Sequence, residues 1–341
     1  MPPSTSTDQR PAAGSLPGFA RPVAGIDLGG TKVRGAIADS SGGILAEATE
    51  PTRATGARDV IEQIAGLVSR LSAQSGLRPE VLGVGSPGVV DEHGRFQLSF
   101  NIEDLADLSL AAELQERAGL PIVVENDANV AALGEQWQGL ARGCRDFAVL
   151  TVGTGLGMGL VIDGRLHRGS RGFAGEVAYL PIGQDPETTE ARRFGALEVA
   201  AGTAGIRRQL TQALSAHTES GSASAQTLLT EDADVHAIFE AARTGDAVGN
   251  MLVDHEALLL SHAILAIATV IDPELVIITG GIGSDPLLIE RVRARLDVIS
   301  PHRIRVERSI LGDRCGVIGA LAAARMSGIR PLEPLERINH G

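Results

Sequence analysis

One local pattern occurs twice in this chain, about 125 residues apart. Val23 to Leu28 reads as a strand, Gly29-Gly30-Thr31 as a turn and Lys32 to Ala38 as a second strand. Ser40 to Gly43 then turns into a third strand, Ile44 to Ala48. Further on, Phe147 to Val152 reads as a strand, Gly153-Thr154-Gly155-Leu156-Gly157 as a glycine turn and Met158 to Ile162 as a second strand. Asp163-Gly164 is a hairpin turn before a third strand, Arg165 to Arg168. This repetition predicts two related α/β halves facing each other. Each would offer a glycine turn whose backbone N–H groups can form a nest for phosphate oxygens. The plainer alternative is two ordinary hairpins. A Walker A loop is excluded, because no Gly-Lys-Ser or Gly-Lys-Thr occurs.

Between the copies lies Ile122-Val-Val-Glu125-Asn126-Asp127-Ala-Asn129, an apolar β-branched run that leads into an Ala-rich segment. It reads as a buried strand followed by a helix. A carboxylate at that junction is either a helix cap or, at the carboxyl end of a strand in an open α/β sheet, placed for chemistry. Gly83-Val-Gly85-Ser-Pro87-Gly88 matches G-x-G-x-x-G but is no dinucleotide site, since Pro87 interrupts it and Val89-Val90 continues extended. A tight loop approaching a small ligand suits these glycines better.

The remaining periodicities predict helices over 58–74, 111–119, 235–243, 251–271 and 317–326, and strands over 81–85, 275–279 and 303–309. Gly195 to Glu198 opens a further helical stretch. Residues 180–195 read as polar and irregular, and 215–226 as a surface loop. Gly280-Gly281-Ile282-Gly283 is a third glycine turn, and Gly172-Phe-Ala-Gly175-Glu176 sets another carboxylate behind glycines.

A length of 341 residues implies two domains. A net charge of −12 argues against a nucleic-acid surface. No apolar run approaches the ~20 residues of a membrane span, and no secretory signal opens the chain. Cys144 and Cys315 are too few for a disulfide framework or a cysteine zinc cluster, and suit buried thiols in a reducing cytoplasm. Residues 1–20 read as a disordered tail, too short for a helix-turn-helix. Lys32 is the only lysine among 30 Lys and Arg residues.

Taken in order, Asp27-Leu-Gly-Gly-Thr31, Glu125-Asn-Asp-Ala-Asn129, Thr151-Val-Gly-Thr-Gly-Leu-Gly157, Ala174-Gly-Glu176, Leu197-Glu198 and Ile278-Thr-Gly-Gly281 resemble the ROK family of sugar kinases. The resemblance covers roughly residues 22–328. It implies an α/β, actin/hexokinase-like (ribonuclease H-like) fold of duplicated domains with a cleft between them. The first domain would span 21–134, with the terminal helix 315–328 packing back on it, and the second 135–314. ATP with Mg²⁺ would be held by Asp27, Gly29, Gly30, Thr31 and Lys32, by Thr151, Gly153, Thr154 and Gly155, and by Gly280, Gly281 and Ile282. Asp27 is the candidate carboxylate for the metal. Asp127 would be the catalytic base, and Gly88, Asn101, Asn126, Asp127, Glu176, Tyr179 and Glu198 would surround a sugar such as glucose. Another polyol or an N-acetyl sugar, or a sugar-sensing regulator, are the alternatives the family offers. The expected protein is cytoplasmic and homodimeric, with no nucleic-acid or membrane partner.

The chain departs from that family in one place. Members usually hold a structural zinc with a histidine after Ala-Gly-Glu and three downstream cysteines. Here Tyr179, Thr189, Ala191 and Ala196 stand at those positions, so no zinc is expected.

Overall fold

The computed structural model describes residues 21–53, 56–90, 96–98, 110–220, 229–230 and 233–328. Its first half contains β1 (Val23–Leu28), β2 (Lys32–Ala38), β3 (Ile44–Pro51), α1 (Ala57–Ser75), β4 (Val81–Ser86), β5 (Val89–Val90), β6 (Phe96–Leu98), α2 (Leu110–Ala118), β7 (Ile122–Asn126) and α3 (Asp127–Trp137). The second half contains β8 (Phe147–Val152), β9 (Leu156–Ile162), β10 (Arg165–Leu166), α4 (Thr189–Phe194), α5 (Ala196–Ala200), α6 (Gly202–Ser220), α7 (Val235–Arg243) and α8 (Ala247–Ile271). It closes with β11 (Leu275–Thr279), α9 (Pro286–Ile299), β12 (Val306–Arg308) and α10 (Cys315–Met326).

The repetition in the sequence is a repetition of topology. One five-stranded sheet has the order β3-β2-β1-β4-β7, the other β10-β9-β8-β11-β12. In each, the first strand of the hairpin is central, antiparallel to the second and parallel to the next strand across. Burial follows the two-residue period of a strand covered on both faces. Ala24, Ile26 and Leu28 of β1 meet the Val60, Ile64 and Leu67 stripe of α1. Val23 faces the other way, toward Val317 and Leu321 of α10. In β8, Ala148, Leu150 and Val152 join the core under α6 to α9, while Phe147 and Val149 meet Ala131 and Ala132 of α3.

Helices α3 and α10 cross at the centre of the molecule. A Cβ on Gly319 would stand 1.6 Å from the Val130 carbonyl oxygen, and one on Gly134 2.6 Å from that of Cys315. Only backbone fits there, which explains the small residues of both helices. The α10 helix also covers β1 and β4, where Gly25 and Gly83 leave room for Leu321 and the Ala320 carbonyl. The boundary expected between 134 and 135 falls inside α3, which runs unbroken from Asp127 to Trp137.

Several expected elements differ. Part of the segment 180–195, read as irregular, is the helix α4, started by Thr188, whose side chain accepts from Ala191 N. The stretch 215–226, read as a loop, begins as the last turn of α6 and continues into residues outside those described. The helix α9 was not anticipated at all. Its signals were present, with Asp285 as N-cap, Pro286 in the first turn, and Leu288, Ile289, Val292 and Leu296 buried. The strand expected over Arg165 to Arg168 is only two residues long.

By length and composition α8 does reach what a membrane crossing needs, against the expectation that no run would. Just over half of its apolar window, 56%, is buried in the second core.

Candidate active site

The strands of both sheets end at a common cleft, and the first turn of α3 stands on its floor. The capping question raised by Glu125-Asn126-Asp127 is divided between neighbours. Asn126 is the cap: its Oδ1 accepts from Ala128 N at 2.9 Å and Asn129 N at 3.2 Å. Its Nδ2 donates to the Gly88 carbonyl at 3.0 Å, which fixes the loop after β4. Glu125 points back into protein, accepting from Asn129 Nδ2 at 2.8 Å and pairing with Arg168, whose Nε lies 2.6 Å away. With those roles taken, Asp127 stands in the cleft as the first residue of the helix, its Oδ1 also accepting from Ala128 N at 2.8 Å.

Two cavities meet at Asp127. One of about 410 Å³ is lined by Asp27, Lys32, Gly281 and Asp313, among others. The second, of about 430 Å³, is lined by Gly88, Asn126, Glu176, Tyr179, Phe194 and Glu198, with Gly29, Gly30, Gly153, Thr154 and Gly155 along its edge. Asp127, Thr151 and Gly280 border both cavities.

Acid groups are crowded here without a cation against each. Burial pushes the Asp127 carboxyl up to about 6. Burial, then the Asp127 charge, raises Asp27 to about 6. Burial with the charges of Asp127 and Glu198 raises Glu176 to about 7. Burial also raises Glu198, opposed by the Leu156 N–H it accepts at 2.9 Å. Such a set suits hydroxyl-rich ligands, which donate to carboxylates, and a carboxylate near 6 can take a proton at neutral pH.

The cationic side is provided by Lys32. Its Nζ lies 3.8 Å from Asp313 Oδ2 and is half exposed toward the first cavity. Asp313 is in turn fixed by Arg34, whose Nη1 donates to its carbonyl at 3.0 Å.

Not every expected residue lines the cleft. Ile282 borders neither cavity; its side chain is in the core and its N–H donates to the Val152 carbonyl at 3.1 Å. Thr31 sits exposed at the tip of its turn, its carbonyl accepting from Thr52 N at 3.0 Å. Asn101 lies outside the described residues. Neither turn offers all its N–H groups: Gly29 N donates to Lys32 O at 2.9 Å and Gly153 N to Gly155 O at 3.0 Å.

Sequence reasoning missed Asp313, Gly316 and Cys315, which line the first cavity at the start of α10. Their signal was weak, a Gly-Asp pair before an apolar helix. Gly316 matters because a Cβ there would stand 2.5 Å from the Asp27 carboxylate.

Two sheets of one topology, a cleft between them and a carboxylate on its floor define the actin/hexokinase-like, ribonuclease H-like class of α/β proteins. Within that class the sequence matches the ROK family over residues 23–326, and the chain belongs to that family. It is 32% identical over 314 residues to a glucokinase of Halalkalibacterium halodurans, covering 86% of this chain and 92% of that one. A ROK family glucokinase from Streptomyces griseus, solved in complex with glucose and AMPPNP, superposes with a TM-score of 0.74 at 31% identity, covering 89% and 99% of the two chains. A xylose repressor of Caldicellulosiruptor bescii is 29% identical over 248 residues, covering 71% of this chain and 61% of the repressor.

Proposed function

We propose that this ATP-dependent sugar kinase phosphorylates a primary hydroxyl of a hexose such as glucose, with Asp127 as general base. The observation that carries the reading is the position of Asp127, which borders both cavities while Asn126 does the capping. The sugar sits in the second cavity with hydroxyls donating to Glu176 and Glu198. Asn126 can offer only its remaining amide hydrogen. The phosphates lie against the two glycine turns and Lys32. As the sugar oxygen bonds to the γ-phosphorus and ADP leaves, the hydroxyl proton passes to Asp127.

Asp27 fits a Mg²⁺ arriving with the nucleotide, since its carboxyl lines the first cavity and is raised to about 6 by burial and the Asp127 charge, against the pull of Arg34 and Lys32. The ion would neutralise phosphate charge there. The two sheets, each with its own helices, suit closure of the halves over the sugar, with the α3–α10 crossing between them.

Zinc has no part in this reading. The loop that would need it is held by other means, with Tyr179 Oη donating to the Arg193 carbonyl at 3.1 Å and Leu197 fully buried.

The test is ADP release across a sugar panel, with wild type and Asp127→Asn. The expected result is turnover on glucose or a close hexose that falls by ~10²–10⁴ in the variant. The xylose repressor among the relatives favours a second reading, a regulator that binds sugar without turnover. Sugar binding with no ADP released on any sugar would select it.

A further inference from the structure

We infer that Glu256, in the middle of α8, is a positioning residue that holds the second glycine turn in place through the start of α6. This rests on the proposed use of that turn for ATP phosphates.

Glu256 is fully buried and lines neither cavity. A carboxyl in an apolar core costs stability unless hydrogen bonds or a paired charge offset its lost hydration. Its Oε1 accepts from Gly202 N, the first residue of α6, at 3.1 Å. An acidic side chain at a helix start answers both an orphan N–H group and the positive end of the helix dipole. Among the described residues its Oε2 has no hydrogen-bond partner, so this one bond is what the carboxyl contributes. Burial pushes the group up to about 7, against the pull of the Gly202 N–H.

The bond continues to the cleft. Gly202 has φ +67, which strains any other residue, and the fit is close: a Cβ there would stand 3.2 Å from the Gly153 carbonyl oxygen and 3.2 Å from Leu156 Cδ1. The next residue, Thr203, donates twice to that same carbonyl, from N at 3.1 Å and from Oγ1 at 3.1 Å. Gly153 opens the turn whose Thr154 and Gly155 border the second cavity. Thus α8 sets the height of α6 through Glu256, and α6 sets the turn through Thr203. A donor array that must meet phosphate oxygens within a few tenths of an ångström depends on such support.

The experiment compares Glu256→Ala, Glu256→Gln and Thr203→Val in the full chain, reading KM for ATP, KM for sugar, kcat and AMPPNP affinity. Glu256→Ala should raise KM for ATP about tenfold, with KM for sugar within about twofold. Glu256→Gln keeps the acceptor oxygen and should recover most of that loss. Thr203→Val, which removes one of the two bonds to Gly153, should shift the same parameter in the same direction by a smaller factor. If Glu256→Ala does not fold, Thr203→Val and Glu256→Gln decide alone. Equal rises in both KM values, or glutamine no better than alanine, overturns the inference. Wild type that binds no AMPPNP overturns it together with the reading it rests on, whereas wild-type binding that Glu256→Ala and Thr203→Val leave unchanged overturns only the inference.

Discussion

The two glycine turns share a sequence pattern and a place in their sheets, yet the protein holds them differently. The first, Gly29 to Thr31, is an open tip: among the described residues a Cβ on Gly30 would meet nothing within 4 Å, and the anchors are Thr52 Oγ1 on the Gly29 carbonyl at 2.7 Å and Thr52 N on that of Thr31. The second, Gly153 to Gly157, is tied at both ends. Thr203 holds Gly153, Glu198 accepts from Leu156 N, and a Cβ on Gly155 would stand 2.7 Å from Glu198 Oε2. Glu198 also lines the second cavity. Local sequence therefore makes a turn, while its neighbours decide how, and against which side chains, it is held.

The sharpest way to break this comparison is valine at each turn. Gly155→Val should displace Glu198 and weaken both ATP and sugar, lowering kcat/KM by ~10² or more. Gly30→Val meets no described atom, so it should raise KM for ATP about tenfold by blocking phosphate approach and leave KM for sugar near wild type. Steady-state kinetics with each substrate varied would show the split. An identical split for both variants would mean that Glu198 does not couple the second turn to the sugar.

Acidity tests the residue that both turns converge on. Asp127 accepts a proton only when ionised, so kcat/KM should be full above about 6 and fall about tenfold per pH unit below it. A pH–rate profile with no inflection between 5 and 7 would remove Asp127 from that role.

The same shift has a stability consequence of opposite sign. The folded-state value of Asp127 lies above its ordinary 3.8, so its contribution to stability is complete below that value and lost as pH rises through about 6. Asp127→Asn removes the cost of an ionised buried group, and should stabilise the fold by about 1–3 kcal/mol at pH 8 and by little at pH 4. Thermal melting at the two pH values would check it.

The smallest effect is expected at Tyr179, which lines the second cavity. Tyr179→Phe removes the bond to Arg193 while keeping the ring beside Phe173, whose centroid is 5.6 Å away. It should change the ranking of sugars a few-fold with KM for ATP unchanged. Metal analysis of the same preparations should find no stoichiometric zinc.

Much of this was legible because it is local or periodic. Strands β1, β8 and β11 and helix α7 fall where alternation and helical spacing put them, as buried faces impose those periods. The helices α4 and α9 were missed where polar residues hid a short helix and where a glycine turn drew attention from the capped helix behind it. Within the cleft, the carboxylates stood out as residue types after strands and glycines. Asp313, Glu256 and Thr203 did not, because their importance lies in what they touch across 279, 54 and 50 residues of chain.

By itself the sequence determined the duplicated hairpins, the buried strands and the strand-to-helix junction at Asp127, since propensity, periodicity and turn chemistry act over a few neighbouring residues. Only the tertiary structure decided that Asn126 caps while Asp127 faces two cavities, that Ile282 turns into the core, and that one glycine turn stands open while the other is tied to Glu198 and Thr203. Those outcomes depend on burial and on hydrogen bonds between distant segments, and neither exists until the two halves and the α3–α10 crossing are packed.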